Sequence, residues 1–135
     1  MTLLEQLHLH EGRRRFPYVD TVGKLTIGCG RNLTDKGLSD DEIDFLLMND
    51  IQECVHDLQT FPWYAGLDDV RKNVLIDMRF NLGPARFRAF KQTLAYVAAG
   101  DYVAAGEQML KSLWAKQVKG RAQRLARAMK TGVMQ

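Results

Sequence analysis

A chain of 135 residues, 46% hydrophobic and 26% charged, has enough apolar content for one packed domain and excludes a disordered or fibrous chain. No run approaches the roughly 18 apolar residues of a membrane span, and the opening MTLLEQLHLHEG has neither the basic start nor the apolar length of an export signal. The formal net charge of +3 conceals an asymmetry, because seven Lys/Arg and no Asp/Glu lie between Lys111 and Gln135, while eight acids and one lysine lie between Asp35 and Asp57.

Leu3, Leu4, Leu7 and Leu9 predict a short amphipathic helix that stops at Gly12. Pro17, Gly23, Gly28 and Gly30 break the helical pattern, DTVG reads as a hairpin turn, and KLTIGCG alternates as a strand does. At Ser39 the sequence SDDE forms a capping box with Glu42, and the helix that follows runs to about Gln59 with Ile43, Leu46, Leu47, Ile51, Val55 and Leu58 as its stripe. FPWYAGL interrupts it. Asp68 or Asp69 then caps VRKNVLIDMRFNLG, apolar almost all round and therefore the expected central helix, and GPARF starts another. RAFKQTLAYVAAG closes at Gly100. DYVAAGEQMLKSLW follows as one helix capped by Asp101, and KGRAQRLARAMKTG is the last, with Ala122, Leu125, Ala126 and Met129 inward. The expected fold is α+β and mostly α. It is a single domain over 1–135, with a small β-hairpin lobe at 13–34, a connecting helix at 39–59, and a helical lobe from 1–12 and 60–135. A cleft between lobe and bundle is the natural place for a ligand.

The chemistry-bearing stretch is EGRRRFPYVDTVGKLTIGCGR, Glu11 to Arg31. Glu11 at a helix end and Asp20 on the hairpin are a carboxylate pair of the kind glycoside hydrolysis uses, one acid protonated and one ionised. Taken alone, they read first as an exposed helix-end acid and a turn-starting aspartate. The strand adds weight: strict alternation puts Leu25, Ile27 and Cys29 on one face, to cover a small core, and Thr26, Gly28 and Gly30 on the other. A hydroxyl followed by two bare glycines suits the close approach of a polymer, although glycines also permit a sharp bend.

Those residues, with NLG at 81–83, FKQTL at 90–94 and SLWAKQVKGRAQRLARAMKTG at 112–132, resemble the phage-type lysozymes, glycoside hydrolase family 24, over nearly the whole chain. The resemblance implies a lysozyme-like fold. It also implies an endolysin muramidase that cuts the β-1,4 bond between N-acetylmuramic acid and N-acetylglucosamine in peptidoglycan and lyses the host cell. By position, Glu11 matches the general acid, Asp20 the second carboxylate, and Thr26 the residue that helps hold the attacking water. Tyr18, Gly28, Gly30, Arg31, Phe80, Asn81 and Arg121 are the implied substrate-binding positions, and Arg121 matches an arginine near the glutamate. The family usually has histidine where this chain has Arg31. If that position serves an ion pair with the bundle, Arg31 is expected to pair with Asp68 or Asp69. The short connection from hairpin to long helix predicts a reduced β lobe.

The family further implies a monomer without cofactor, held in the host cytoplasm until a holin-like membrane pore releases it to the wall. Metal binding is not expected: His8 and His10, like Cys54 and His56, are two residues apart and point to different sides of a helix. Cys29 and Cys54 lack CxxC partners and are expected to be reduced. Trp63, Tyr64 and Trp114 read as core or loop anchors before sugar platforms, while Arg13, Arg14 and Arg15 read as either wall-binding or a solvated turn. Three other functions remain open. A lytic transglycosylase needs only the glutamate. A nucleic-acid module on Lys111–Lys130 lacks any aromatic stacking platform, so no nucleic acid is expected. A membrane-active basic helix near the C-terminus is compatible with the enzyme.

Overall fold

The computed structural model describes residues 1–135, which form two compact units, Met1–Leu47 and Met48–Gln135. The helix α2, Asp40–Leu58, spans the division.

In the first unit, α1 covers Leu3–Glu11. Thr2 caps it, with a full capping box to Glu5, and the chain leaves through Gly12 at φ 76°. The helix buries none of its leucines. A three-stranded antiparallel sheet follows in the order β1 (Arg14–Val19), β2 (Leu25–Gly28), β3 (Arg31–Asn32). Tyr18 pairs with Thr26 and Val19 with Leu25, and the register slips between Arg14 and Tyr18, around Pro17. Proline is tolerated there because β1 is an edge strand and the bulge relieves the missing amide. The expected hairpin is therefore joined by a third strand, which is only two residues long and has no periodicity to read.

The alternation expected of TIGCG fails, and the glycines explain why. β2 ends at Gly28 (φ 68°), and the chain turns through Cys29 and Gly30 (φ 77°) into β3. Positive φ is what these two glycines supply, so the bare face does not run on as a strand. The faces are also exchanged. Thr26 is 4% exposed, paired on one side with Tyr18 and on the other with Asn32, whereas Leu25 at the strand's end is 43% exposed and Cys29 is exposed. The Thr26 hydroxyl satisfies its own burial by donating to the Lys24 carbonyl at 3.0 Å.

The second unit packs helices around α3 (Asp69–Leu82). Ser39 and Glu42 exchange the capping-box bonds that start α2, Asp68 accepts from the Arg71 amide to start α3, and Asp101 accepts from Ala104 to start α6 (Tyr102–Leu110). The α2 stripe reaches the core only in its last turns, through Cys54 and Leu58; Ile43, Leu46 and Leu47 stay exposed. After α4 (Pro84–Arg88) and α5 (Lys91–Ala98), the single helix expected over 101–114 is broken. The Ser112 hydroxyl donates to the Met109 carbonyl, ends α6 and caps the separate α7 (Leu113–Val118). The last helix, α8 (Gly120–Thr131), buries Ala122, Ala126 and Met129, with Leu125 partly covered, as its pattern predicts. Leu58, Leu75, Met78, Phe87, Met109 and Met129 are fully buried. No helix is long and apolar enough to cross a membrane.

The central helix also buries a cation. Arg79 is 6% exposed and donates to Asp57 of α2 at 2.7 Å, with Glu53 at 3.6 Å, while Arg88 of α4 reaches the other Asp57 oxygen. Burial alone would raise the Asp57 pKa, but the hydrogen bonds from Arg79 and Arg88 outweigh it and hold the carboxyl below its ordinary value.

Helices α6 and α8 meet closely at Gly106. A methyl group there would sit 2.6 Å from Lys130 Cγ and 2.8 Å from the Ala126 carbonyl oxygen of α8. Lys130 can swing aside, but the α8 backbone cannot. Gly106→Ala gains about 1 kcal/mol of helix propensity and loses roughly 1–3 kcal/mol to overpacking, so net destabilisation is expected. A fall in the thermal midpoint checks it; a rise would show that α6 and α8 separate freely.

Candidate active site

Glu11 is the last residue of α1, exposed, and directed across the sheet's second turn. A Cβ built on Gly30 would lie 2.8 Å from Glu11 Oε2 and 3.1 Å from Cδ. Gly30 is therefore bare for two reasons, its positive φ and the carboxylate above it. One residue earlier, the Cys29 thiol donates to the Gly12 carbonyl at 3.0 Å, so the turn and the end of α1 are tied together. Sequence reading had Gly30 as a candidate and Cys29 as part of an apolar face; the juxtaposition with Glu11 is a tertiary fact with no spacing signal.

Asp20 sits at the hairpin turn and is half-buried. Its Oδ1 accepts the amides of Val22 at 3.0 Å and Lys24 at 2.8 Å, and its backbone amide donates to the Lys24 carbonyl. The turn-starting role is thus present and falls on one oxygen: Oδ1 builds the turn and Oδ2 accepts no hydrogen bond from the protein. Thr26 lies in the middle strand opposite Tyr18, whose ring carries the Arg14 guanidinium 4.8 Å from its centroid. Gly28 ends that strand, opposite Arg14.

Arg31 does not pair with Asp68 or Asp69. It meets Glu42 through two parallel contacts of 2.6 Å, NH1 to Oε1 and NH2 to Oε2, and also donates to the Gly37 carbonyl. The reason is local. Glu42 lies in the first turn of the helix that follows β3, whereas Asp68 is already spent on capping α3 and on Arg71. The fork on Glu42, with the Ser39 hydrogen bonds, lowers its pKa to about 2.

In the second unit, Phe80 is 43% exposed at the end of α3. Asn81 uses Oδ1 to accept the Trp114 indole N–H at 2.7 Å, which settles Trp114 as a core anchor, and the Asn81 amide NH2 donates to no other protein group. Arg121 of α8 is held by Asp77 of α3, with Nε and NH2 at 2.8 and 2.6 Å from Oδ1. Asp77 was not singled out from sequence; the available signal was a single acid beyond the first turn of α3. The structure holds no group of three or more His, Cys, Asp or Glu placed to bind a metal.

A mostly helical chain with a small three-stranded antiparallel sheet has an α+β fold of the lysozyme-like class. The chain belongs to the phage lysozyme family, whose sequence profile matches residues 8–130. It is similar to "Probable T4-type lysozyme 1" of Dictyostelium discoideum, 23% identical over 98% of this chain and 96% of the relative. It is also similar to "Probable T4-type lysozyme 2" of the same organism, at 24% over the same shares. The "Pre-baseplate central spike protein Gp5" of Enterobacteria phage T4 is 26% identical over 98% of this chain, which matches 28% of that longer protein. The protein is a lysozyme, and its substrate is peptidoglycan.

The Arg31–Glu42 pair generates a pH prediction. Its folded-state pKa of about 2 lies below the ordinary 4.5. The contribution is therefore complete above pH 4.5 and is lost as pH falls through the range from 4.5 to 2. Glu42→Gln should melt below wild type at pH 6, and the gap should close by pH 2 and shrink with salt, since the pair is solvent-accessible. A pH-independent gap would place the effect in the helix cap alone.

Proposed function

We propose that this lysozyme is a muramidase. It hydrolyses the β-1,4 bond between N-acetylmuramic acid and N-acetylglucosamine, with Glu11 as general acid and with Asp20 and Thr26 orienting the attacking water. The observation that carries this reading is the Glu11 carboxyl seated over the bare Gly30 backbone, exposed on its outer side, where a glycosidic oxygen can reach it. Asp20 supports it with one oxygen anchored by turn amides and the other open. So does the Thr26 hydroxyl. Its hydrogen is committed to the Lys24 carbonyl, so a water it holds must donate to it and turn its own lone pairs elsewhere. A water activated on the face opposite the acid inverts the anomeric centre.

The other positions take proposed roles in keeping with their surroundings. Tyr18 and Phe80 offer ring faces, Gly28 and Gly30 offer backbone, and Asn81 offers the amide NH2 that Trp114 leaves free. Arg121 is held by Asp77 and supplies positive charge beside α3. Arg31 acts through Glu42, as a brace and not as a ligand to sugar. The whole chain acts as one catalytic domain and as a monomer, an endolysin released from the host cytoplasm by a pore-forming membrane partner, which lyses the host.

A lytic transglycosylase is the second reading. What favours it is the structural duty of Asp20 in its turn, because that reaction needs no water-orienting carboxylate.

Two variants separate these readings. Glu11→Gln should keep the fold and lose at least about 10²-fold in activity on purified peptidoglycan, within the range of general acid catalysis. Activity above about a tenth of wild type removes Glu11 from that role. Asp20→Asn keeps an oxygen for the Val22 and Lys24 amides, so its melting should match wild type while hydrolysis falls about 10²-fold. Wild-type activity in Asp20→Asn, with anhydro-sugar products by mass spectrometry, would establish the transglycosylase.

A further inference from the structure

We infer that the β2–β3 turn is a clamp for the catalytic carboxyl, and that Cys29 is the positioning residue that closes it. The inference rests on the reading of Glu11 as the acid. Two contacts carry it, from consecutive residues. Gly30 lies directly beneath the Glu11 carboxylate, so the carboxyl rests on backbone with no room for a side chain between. Cys29 then reaches back to the residue after Glu11. Its thiol donates to the Gly12 carbonyl at 3.0 Å, with the Leu7 carbonyl 4.0 Å away.

The placement matters because Gly12 is where α1 ends. Its backbone has left the helical region, and its amide donates to the His8 carbonyl, so its own carbonyl has no helical partner. Freed of Cys29, that carbonyl is satisfied by water, and the Gly12 peptide, with no Cβ to restrain it, can rotate. That peptide joins Gly12 to Arg13, with Glu11 one Cα further back, so losing the tie frees the turn that carries Gly30 to shift against the Glu11 carboxylate. A thiol is a weak donor, so the clamp adds little to global stability. Its effect falls on the geometry of one side chain. Displacement by about 1 Å at a reacting group can cost on the order of 10²-fold in rate.

The clamp is also chemically addressable. Cys29 is exposed, and the other free thiol, Cys54, is buried. A thiol-modifying reagent therefore meets Cys29 first. S-alkylation replaces the hydrogen that Gly12 accepts with a bulky group at the turn beneath Glu11. The enzyme is expected to be inhibited by thiol reagents although no thiol takes part in the reaction.

The experiment measures kcat and KM on soluble peptidoglycan fragments, with the thermal midpoint, for wild type, Cys29→Ser, Cys29→Ala, Glu11→Gln and wild type alkylated with iodoacetamide. Peptide mapping confirms modification at Cys29 alone. Alkylation acts on protein already folded, so a folding defect in the alanine variant cannot hide the result. Cys29→Ala and the alkylated enzyme should lose about tenfold in kcat with KM within about twofold, since misplacement affects the reacting group more than the binding surface. The midpoint should stay within a few degrees, and Cys29→Ser, which restores a donor, should recover most of kcat. The clamp is overturned if either Cys29→Ala or the alkylated enzyme keeps wild-type kcat. It is overturned too if serine fails to rescue, or if kcat falls only in step with lost folded protein. An active Glu11→Gln would overturn the acid assignment itself, and the clamp with it. An inactive Glu11→Gln beside a fully active alkylated enzyme overturns the clamp alone.

Discussion

A carboxylate at the end of a helix can be brought against a sheet only where the sheet has nothing in the way. In this lysozyme that place is residue 30. Its φ of 77° demands glycine for the turn from β2 into β3, and the same missing Cβ makes room for Glu11. One conformational requirement at residue 30 therefore turns the chain into the short third strand and makes room for the Glu11 carboxylate. Any larger residue there would strain the turn and displace the carboxylate together.

The rest of the first unit is tied to that turn by polar contacts more than by apolar packing. The hydroxyl of Thr26, the thiol of Cys29, the fork of Arg31 and the carboxylate of Asp20 each bind backbone or a helix start within this unit. Small lobes with little core rely on such local bonds, since burial scales poorly with size. The second unit is held in the opposite way. Its core is continuous from Leu58 through Leu75 and Met78 to Met129, and the one buried cation, Arg79, is shared between two acids of α2. Polar groups there serve to finish helices, as Ser112 and Asp101 do, or to pin long side chains, as Asn81 pins Trp114.

Asp20 shows how a small site economises on residues. A turn needs an acceptor for its amides, and a water-activating group needs a free anionic oxygen. A carboxylate has two oxygens, and one side chain supplies both. An asparagine would fill the first need only. The structural duty of Asp20 in its turn therefore leaves one oxygen for the water-orienting role proposed for it.

The helices were legible from the chain because their signals are local. Ser39, Asp68 and Asp101 cap where cap residues fall before apolar runs, Gly12 and Gly83 end helices where glycine permits the exit, and the α8 stripe faces inward as its spacing requires. The break at Ser112 was missed because serine within a helical pattern can be tolerated or can cap, and only the surrounding packing selects between them. The identities of Glu11, Asp20 and Thr26 as candidates were likewise present in the sequence, through residue type and spacing. Tertiary structure alone decided which face of β2 is buried, that Arg31 takes Glu42, that Arg121 takes Asp77, and that Glu11 rests on Gly30 with Cys29 beside it. Those are contacts between residues up to 44 positions apart. No periodicity encodes them, because a side chain's partner depends on where two backbones meet and on which acceptors are already occupied.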